Sequence, residues 1–200
     1  MSNSQTSIQT SKNIPTLPFI PQRDYNIQHT VYQEAPARAS IVLWNLIDFA
    51  HVNWVHRKLY KYCKVLSESG HVTLLEYGVK YFFFLRLPIS FPVIMWHEYT
   101  PPYHVQHLSR SPWGGYTRVD VQLEEFQKDN KIHTRITHSF CANIPAFLSP
   151  LKNLLHRYIE LWSKRVWEED LALILRRQKV LDCGFRDHPL DVTVRSVEGF

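Results

Sequence analysis

Residues 116–140 read YTRVDVQLEEFQKDNKIHTRITHSF, and this stretch decides the fold. Val119, Val121 and Leu123 alternate with Asp120, Gln122 and Glu124, the period-two pattern of a strand with one apolar and one polar face. Lys128-Asp129-Asn130-Lys131 turns the chain, and Ile132 to Phe140 alternates again, so the two runs predict an antiparallel hairpin. His138 falls on the inward face of the second strand with Ile132, Ile136 and Phe140. There it lines a cavity or sits as a hydrogen-bonded core histidine.

Downstream the period changes. Ser149-Pro150 reads as an N-cap followed by a first-turn proline, after which Leu151, Leu154, Leu155, Tyr158, Ile159, Trp162, Val166, Trp167, Leu171 and Ile174 recur at helical spacing. Without Gly or Pro before Gly184, this predicts a helix of about 30 residues, ~45 Å long at 1.5 Å per residue. From Gly184 the chain reads as irregular or as one short strand, Val192 to Val194.

Upstream, Val72 to Leu87 is β-branched and aromatic and predicts a long strand or two, followed by shorter ones over Val93 to Tyr99 and Tyr103 to Leu108. Trp113-Gly114-Gly115 supplies a turn. Before them Ile41, Leu43, Trp44, Ile47, Phe49, Val52 and Val55 predict a mostly buried helix to about Tyr60. Helix, antiparallel strands, then one long helix argue for an α+β, helix-grip (START-like) domain, its curved sheet wrapped around the C-terminal helix. Such a sheet leaves an apolar cavity against the helix. Residues 1–24, rich in Ser, Asn, Gln and Thr with Pro15, Pro18 and Pro21, predict a flexible N-terminal arm, and residues 25–200 a single domain.

The chain has 200 residues, 44% hydrophobic, with 6 Trp, 10 Tyr and 11 Phe. That content suits a β-rich domain with a roomy interior. The net charge of +5 is spread among acidic and basic residues without a Lys/Arg run, which argues against nucleic acid or a membrane surface as partner. With no long uncharged apolar stretch and a polar N-terminus, a cytoplasmic protein is expected. Cys63, Cys141 and Cys183 are widely separated and not paired with nearby histidines, so no disulfide framework, zinc finger or iron-sulfur cluster is expected in this chain.

The chemistry is concentrated in residues 45–56, NLIDFAHVNWVH. Asn45, Asp48, His51 and His56 interrupt an otherwise apolar helix, and buried polar groups need partners. His51 and His56, five apart, do not share one regular helical face, so the helix must distort or end for both to meet one ion. Two imidazoles with one carboxylate form the facial ligand set of mononuclear Fe(II). The plainer alternative is two helix histidines held by ordinary hydrogen bonds. His97, His104 and His107, clustered with Trp96, Tyr99 and Tyr103, match no ligand spacing and read as strand and loop surface.

The pattern Asn45-x2-Asp48-x2-His51-x4-His56 resembles the mononuclear-iron motif in the catalytic domain of Rieske non-haem iron ring-hydroxylating oxygenases. Trp167-Glu168-Glu169-Asp170-Leu171, followed by Arg176, Arg177 and Gln178, resembles the helix carrying that family's carboxylate ligand. The resemblance implies His51, His56 and Asp170 as Fe(II) ligands. It implies for Asp48 a role in electron transfer to the iron, although the carboxylate could instead fix a ligating histidine ring as a hydrogen-bond acceptor. Asn45 is assigned to pocket shaping or hydrogen bonding. Only one of the neighbours Glu169 and Asp170 can face the site, since they lie about 100° apart around a helix. Glu168 and Glu169 are then read as a solvated face near Arg165.

The resemblance also implies an oxygenase that uses dioxygen as co-substrate on an apolar, aromatic small molecule. The family's Rieske domain is missing here, so electrons would come from a separate Rieske or ferredoxin-type protein, and assembly as a homotrimer is possible. The alternatives are a non-catalytic helix-grip protein that binds a hydrophobic ligand and an accessory subunit of a full-length oxygenase.

Overall fold

A computed structural model of the protein describes residues 25–80, 90–110, 115–144 and 146–184. The expected arm over 1–24 and the short strand at Val192 to Val194 lie outside them. The described elements are β1 (Ile27–Ala35), α1 (Ala39–Ile47), α2 (Phe49–Val55), β2 (Tyr60–Ser69), β3 (Val72–Val79), β4 (Phe91–Thr100), β5 (His104–Arg110), β6 (Tyr116–Lys128), β7 (Lys131–Asn143), a 3-10 turn over Ala146–Leu151, and α3 (Lys152–Asp182).

The seven strands form one sheet in the order β1-β7-β6-β5-β4-β3-β2, each neighbouring pair antiparallel. The first two strands in sequence therefore occupy opposite edges, and α1 and α2 carry the chain between them. The hairpin of β6 and β7 pairs Tyr116 with Asn143 through to Lys128 with Lys131. Asp129 and Asn130 both adopt positive φ, 51° and 59°. Such a two-residue turn matches the twist of its flanking strands, and Asx residues tolerate it best after glycine.

One face of the sheet is apolar. Tyr99, Val105, Val121, Leu123 and Ile136 pack with Ile41, Val42 and Leu43 of α1 and Ile174 of α3 in one core cluster. Val52 of α2, Leu59, Tyr60, Cys63, Leu75 and Tyr77 form a second toward the β2 edge, with Trp162 and Val166 of α3 against it. Polar ties fix the helices to the sheet: Ala39 N donates to Glu125 Oε1 at 2.6 Å, and Thr134 Oγ1 donates to the Ala37 carbonyl at 2.7 Å.

Three sequence expectations change. The helix expected to reach Tyr60 is two short helices that break at Asp48 and end at Val55, and Tyr60 instead opens β2. Neither β1 nor β2 is evident from the sequence: β1 alternates in burial but carries His29 and Gln33 on its inner side and Tyr32 on its outer side, and the burial of β2 is irregular. Ser149 is not the cap of the last helix either: Pro150 lies inside the 3-10 turn, and Leu151 precedes α3 without a side-chain cap. Its length of 31 residues agrees with the expected one.

Candidate functional site

The break at Asp48 begins the site. Asp48 Oδ1 accepts from Ala50 N at 3.1 Å, the side-chain cap of α2. This satisfies a free N–H of the helix start. One turn later α2 delivers His51, and His56 stands just past its end with φ −93° and ψ 24°. Ending the helix there swings His56 out of the regular spacing, so the two rings converge despite a separation of five residues. From the opposite side, α3 presents Ser163, Val166, Trp167, Asp170 and Ile174 to the same cavity.

Three atoms meet. His51 Nε2 lies 3.3 Å from His56 Nε2 and 3.4 Å from Asp170 Oδ1, and His56 Nε2 lies 2.8 Å from that same oxygen. Two ligands each ~2.1 Å from one ion stand ~3.0 Å apart at a right angle and ~3.4 Å apart at the tetrahedral angle. The three separations therefore fit ligands on adjacent positions of a single ion. Among the described residues this is the one group of three His, Cys, Asp or Glu side chains so arranged.

Electrostatics reinforce the convergence. Burial alone would raise the Asp170 pKa, but hydrogen bonds from His51 and His56, the charge of His56 and a hydrogen bond from Asn45 outweigh it and hold it at about 2. Burial likewise opposes a charge on His56, and Asp170 and Glu169 overcome it, so its pKa is raised. Asn45 is 2% exposed, and as a hydrogen-bond donor to Asp170 it fixes the carboxylate.

Glu169 departs from its expected place on a solvated face. Its Oε2 lies 3.0 Å from His56 Nδ1, while Oε1 accepts from Arg165 Nη2 at 2.9 Å. The ring nitrogens of an imidazole point apart, and so do carboxylates on successive helical residues; Asp170 and Glu169 take one nitrogen each. That complementarity is the signal the sequence offered. Asp48, by contrast, stands 3.9 Å from His51 Nδ1, beyond hydrogen-bond reach. It caps α2 rather than fixing the histidine ring.

The site opens onto a cavity of about 150 Å³ between the sheet and α3, with Tyr60, Tyr77, Met95, Val121, Ile136 and Phe140 among its apolar and aromatic walls. His138 lines it. The expected surface cluster of histidines is not on the surface. His97 is 2% exposed and His107 lines the cavity; only His104 lies on the outer face, 3.5 Å from Asp120. His97 and His107 face each other across β4 and β5 with Nδ1 atoms 3.1 Å apart. In β4 both faces carry large apolar residues, Val93, Met95 and Tyr99 on one and Ile94 and Trp96 on the other, and β5 is short and polar, so neither strand betrays which face is inside.

Neither a family model nor a curated protein matches the chain. Solved structures do. An aromatase/cyclase (Zhui) from Streptomyces sp. R1128 superposes with a TM-score of 0.60 at 13% identity, over 76% of this chain and 94% of that one. A START superfamily protein from Mycobacterium smegmatis gives 0.59 at 12% identity, over 74% and 97%. The fold is a helix grip. A further match, Ara h 8.0201, gives 0.55 at 11% identity over 74% of this chain and 99% of that one.

These neighbours overturn the resemblance to the catalytic domain of Rieske oxygenases: they are START and aromatase/cyclase structures, and no family model supports the oxygenase assignment. Physically, the motif constrains the end of one helix and one position on another, whereas backbone similarity integrates the whole sheet. The oxygenase activity, separate electron donor and homotrimer followed from the resemblance and lose that support. No described helix is long and apolar enough to cross a membrane.

Proposed function

We propose that the protein binds a small apolar molecule in the cavity between the sheet and α3, beside a divalent metal ion held by His51, His56 and Asp170. The observation that carries this reading is three ligand atoms within 3.4 Å of one another at the wall of a mainly apolar cavity. A concave, mostly apolar pocket with a small number of placed polar groups is the usual form of a small-molecule site. Its size sets the scale of ligand, because about 150 Å³ accommodates a benzene-sized molecule. One ring fits the described cavity; a polycyclic ligand requires it to widen.

Two histidines and a carboxylate suit Fe(II), which in such a set retains positions for dioxygen or an oxygen-bearing ligand. The chain's own residues perform the rest. Glu169 fixes the His56 ring from its far nitrogen, Asn45 fixes Asp170, and Trp162 and Phe140, with ring centroids 6.4 Å apart, pack edge to face at the apolar wall. A proton shared between His56 and the two acids is the competing occupant of this geometry, and its raised pKa is compatible with that reading.

Metal analysis of protein purified without chelator separates the two. Stoichiometric iron or zinc that is lost in His51→Ala and in His56→Ala supports the metal; sub-stoichiometric metal unaffected by both substitutions overturns it. Ligand binding is read separately, by calorimetric titration with single-ring hydrocarbons such as toluene.

A further inference from the structure

The cavity has a second polar feature, away from the three ligands. His107 of β5 pairs in register with Val119, and His138 of β7 with Val121, so the two histidines flank β6 on the cavity face of the sheet, two residues apart along it. His97 Nδ1 engages His107 Nδ1 at 3.1 Å, and the Phe49 ring packs edge-on against His97 with centroids 4.8 Å apart. This leaves Nε2 as the remaining polar atom of His107. Among the described residues, neither that atom nor His138 has a hydrogen-bond partner.

We propose that His107 and His138 form a hydroxyl-recognising subsite, which makes the ligand of this cavity a small phenol-like ring rather than a plain hydrocarbon. The inference rests on the cavity being a ligand site. Burial holds both rings at a pKa of about 4, with the neighbouring His138 lowering that of His107 further and Asp170 partly opposing the shift in His138. At neutral pH each is therefore an uncharged imidazole with one N–H and one bare nitrogen. A hydroxyl also gives one hydrogen bond and accepts others, so it can donate to one ring and accept from another. A hydrocarbon of equal size offers these ring nitrogens no hydrogen-bond partner. His97 acts as a positioning residue, since its contact consumes the inner nitrogen of His107.

The test compares phenol with toluene, which has the same number of heavy atoms, by NMR titration of the wild-type protein and of His107→Phe and His138→Phe. Wild type is expected to favour phenol at least tenfold, with the His107 and His138 ring signals shifting. Each Phe variant is expected to bring the ratio within about twofold while still binding toluene. His138→Gln, a milder change that preserves a donor and an acceptor, should retain part of the preference even where the Phe variant folds poorly. Toluene binding without a wild-type preference for phenol, or a preference unchanged in both Phe variants, overturns the subsite alone. Failure of wild type to bind either molecule overturns the cavity's role in ligand binding as well.

Discussion

The buried histidines make stability depend on pH in a window the structure defines. His107 and His138 have folded pKa values of about 4 against an ordinary 6.5, with burial as the leading cause in each. A depressed histidine pKa means that the unfolded chain binds more protons between those values, so stability falls as pH falls from about 6.5 to about 4. The full shift corresponds to about 3 kcal/mol per ring at 1.36 kcal/mol per unit, of which about 2 kcal/mol is lost between pH 7 and pH 5. Both rings border a cavity that water can enter, which screens part of the penalty, so the pair together should lose about 2–4 kcal/mol over that range. The acids held low contribute elsewhere: Asp170, at about 2, loses its share only below the ordinary carboxylate pKa. His56, whose pKa is raised, gains stability as pH falls toward and just below 6.5 and so partly offsets the loss at the upper end of the range. Urea unfolding at half-unit pH steps measures the effect. A wild-type stability that varies by less than about 0.5 kcal/mol from pH 7 to pH 5, or a slope identical in His107→Asn and His138→Gln, would refute the reasoning.

Other substitutions probe separate parts of the molecule. Glu169→Gln removes the anionic partner of His56 Nδ1 and should weaken metal binding about 10–100-fold in a competitive chelator titration, because partners of that kind orient the ligand ring. Unchanged affinity would exclude it from the site. Trp162→Ala, at a partly buried position, should destabilise the fold by about 2–3 kcal/mol while admitting a two-ring hydrocarbon such as naphthalene, which calorimetry reads directly. If naphthalene binds no better than to wild type, Trp162 does not set the cavity's size. Asn130→Val places a β-branched residue at φ 59° and should lower stability by about 1–2 kcal/mol in the same urea assay. No loss would mean that the turn relaxes without strain.

The sequence alone determined the β6 and β7 hairpin, the length of α3 and hence the helix-grip class, because the period-two alternation and the helical run without Gly or Pro are read directly from residue order. It also marked His51 and His56, polar residues embedded in an apolar helix, whereas Asp170, beside Glu168 and Glu169 on a charged helix, was singled out only through the oxygenase resemblance. Only the tertiary structure decided how those residues meet: the chain break at Asp48 and the helix end at His56 supply the turn that a five-residue spacing forbids. It likewise brought Glu169 inward, buried His97 and put His107 against the cavity, since which side of a strand or helix is buried depends on what packs over it. Local periodicity fixes an element's faces. Their neighbours, assembled from strands at opposite ends of the sequence, fix which face becomes a site.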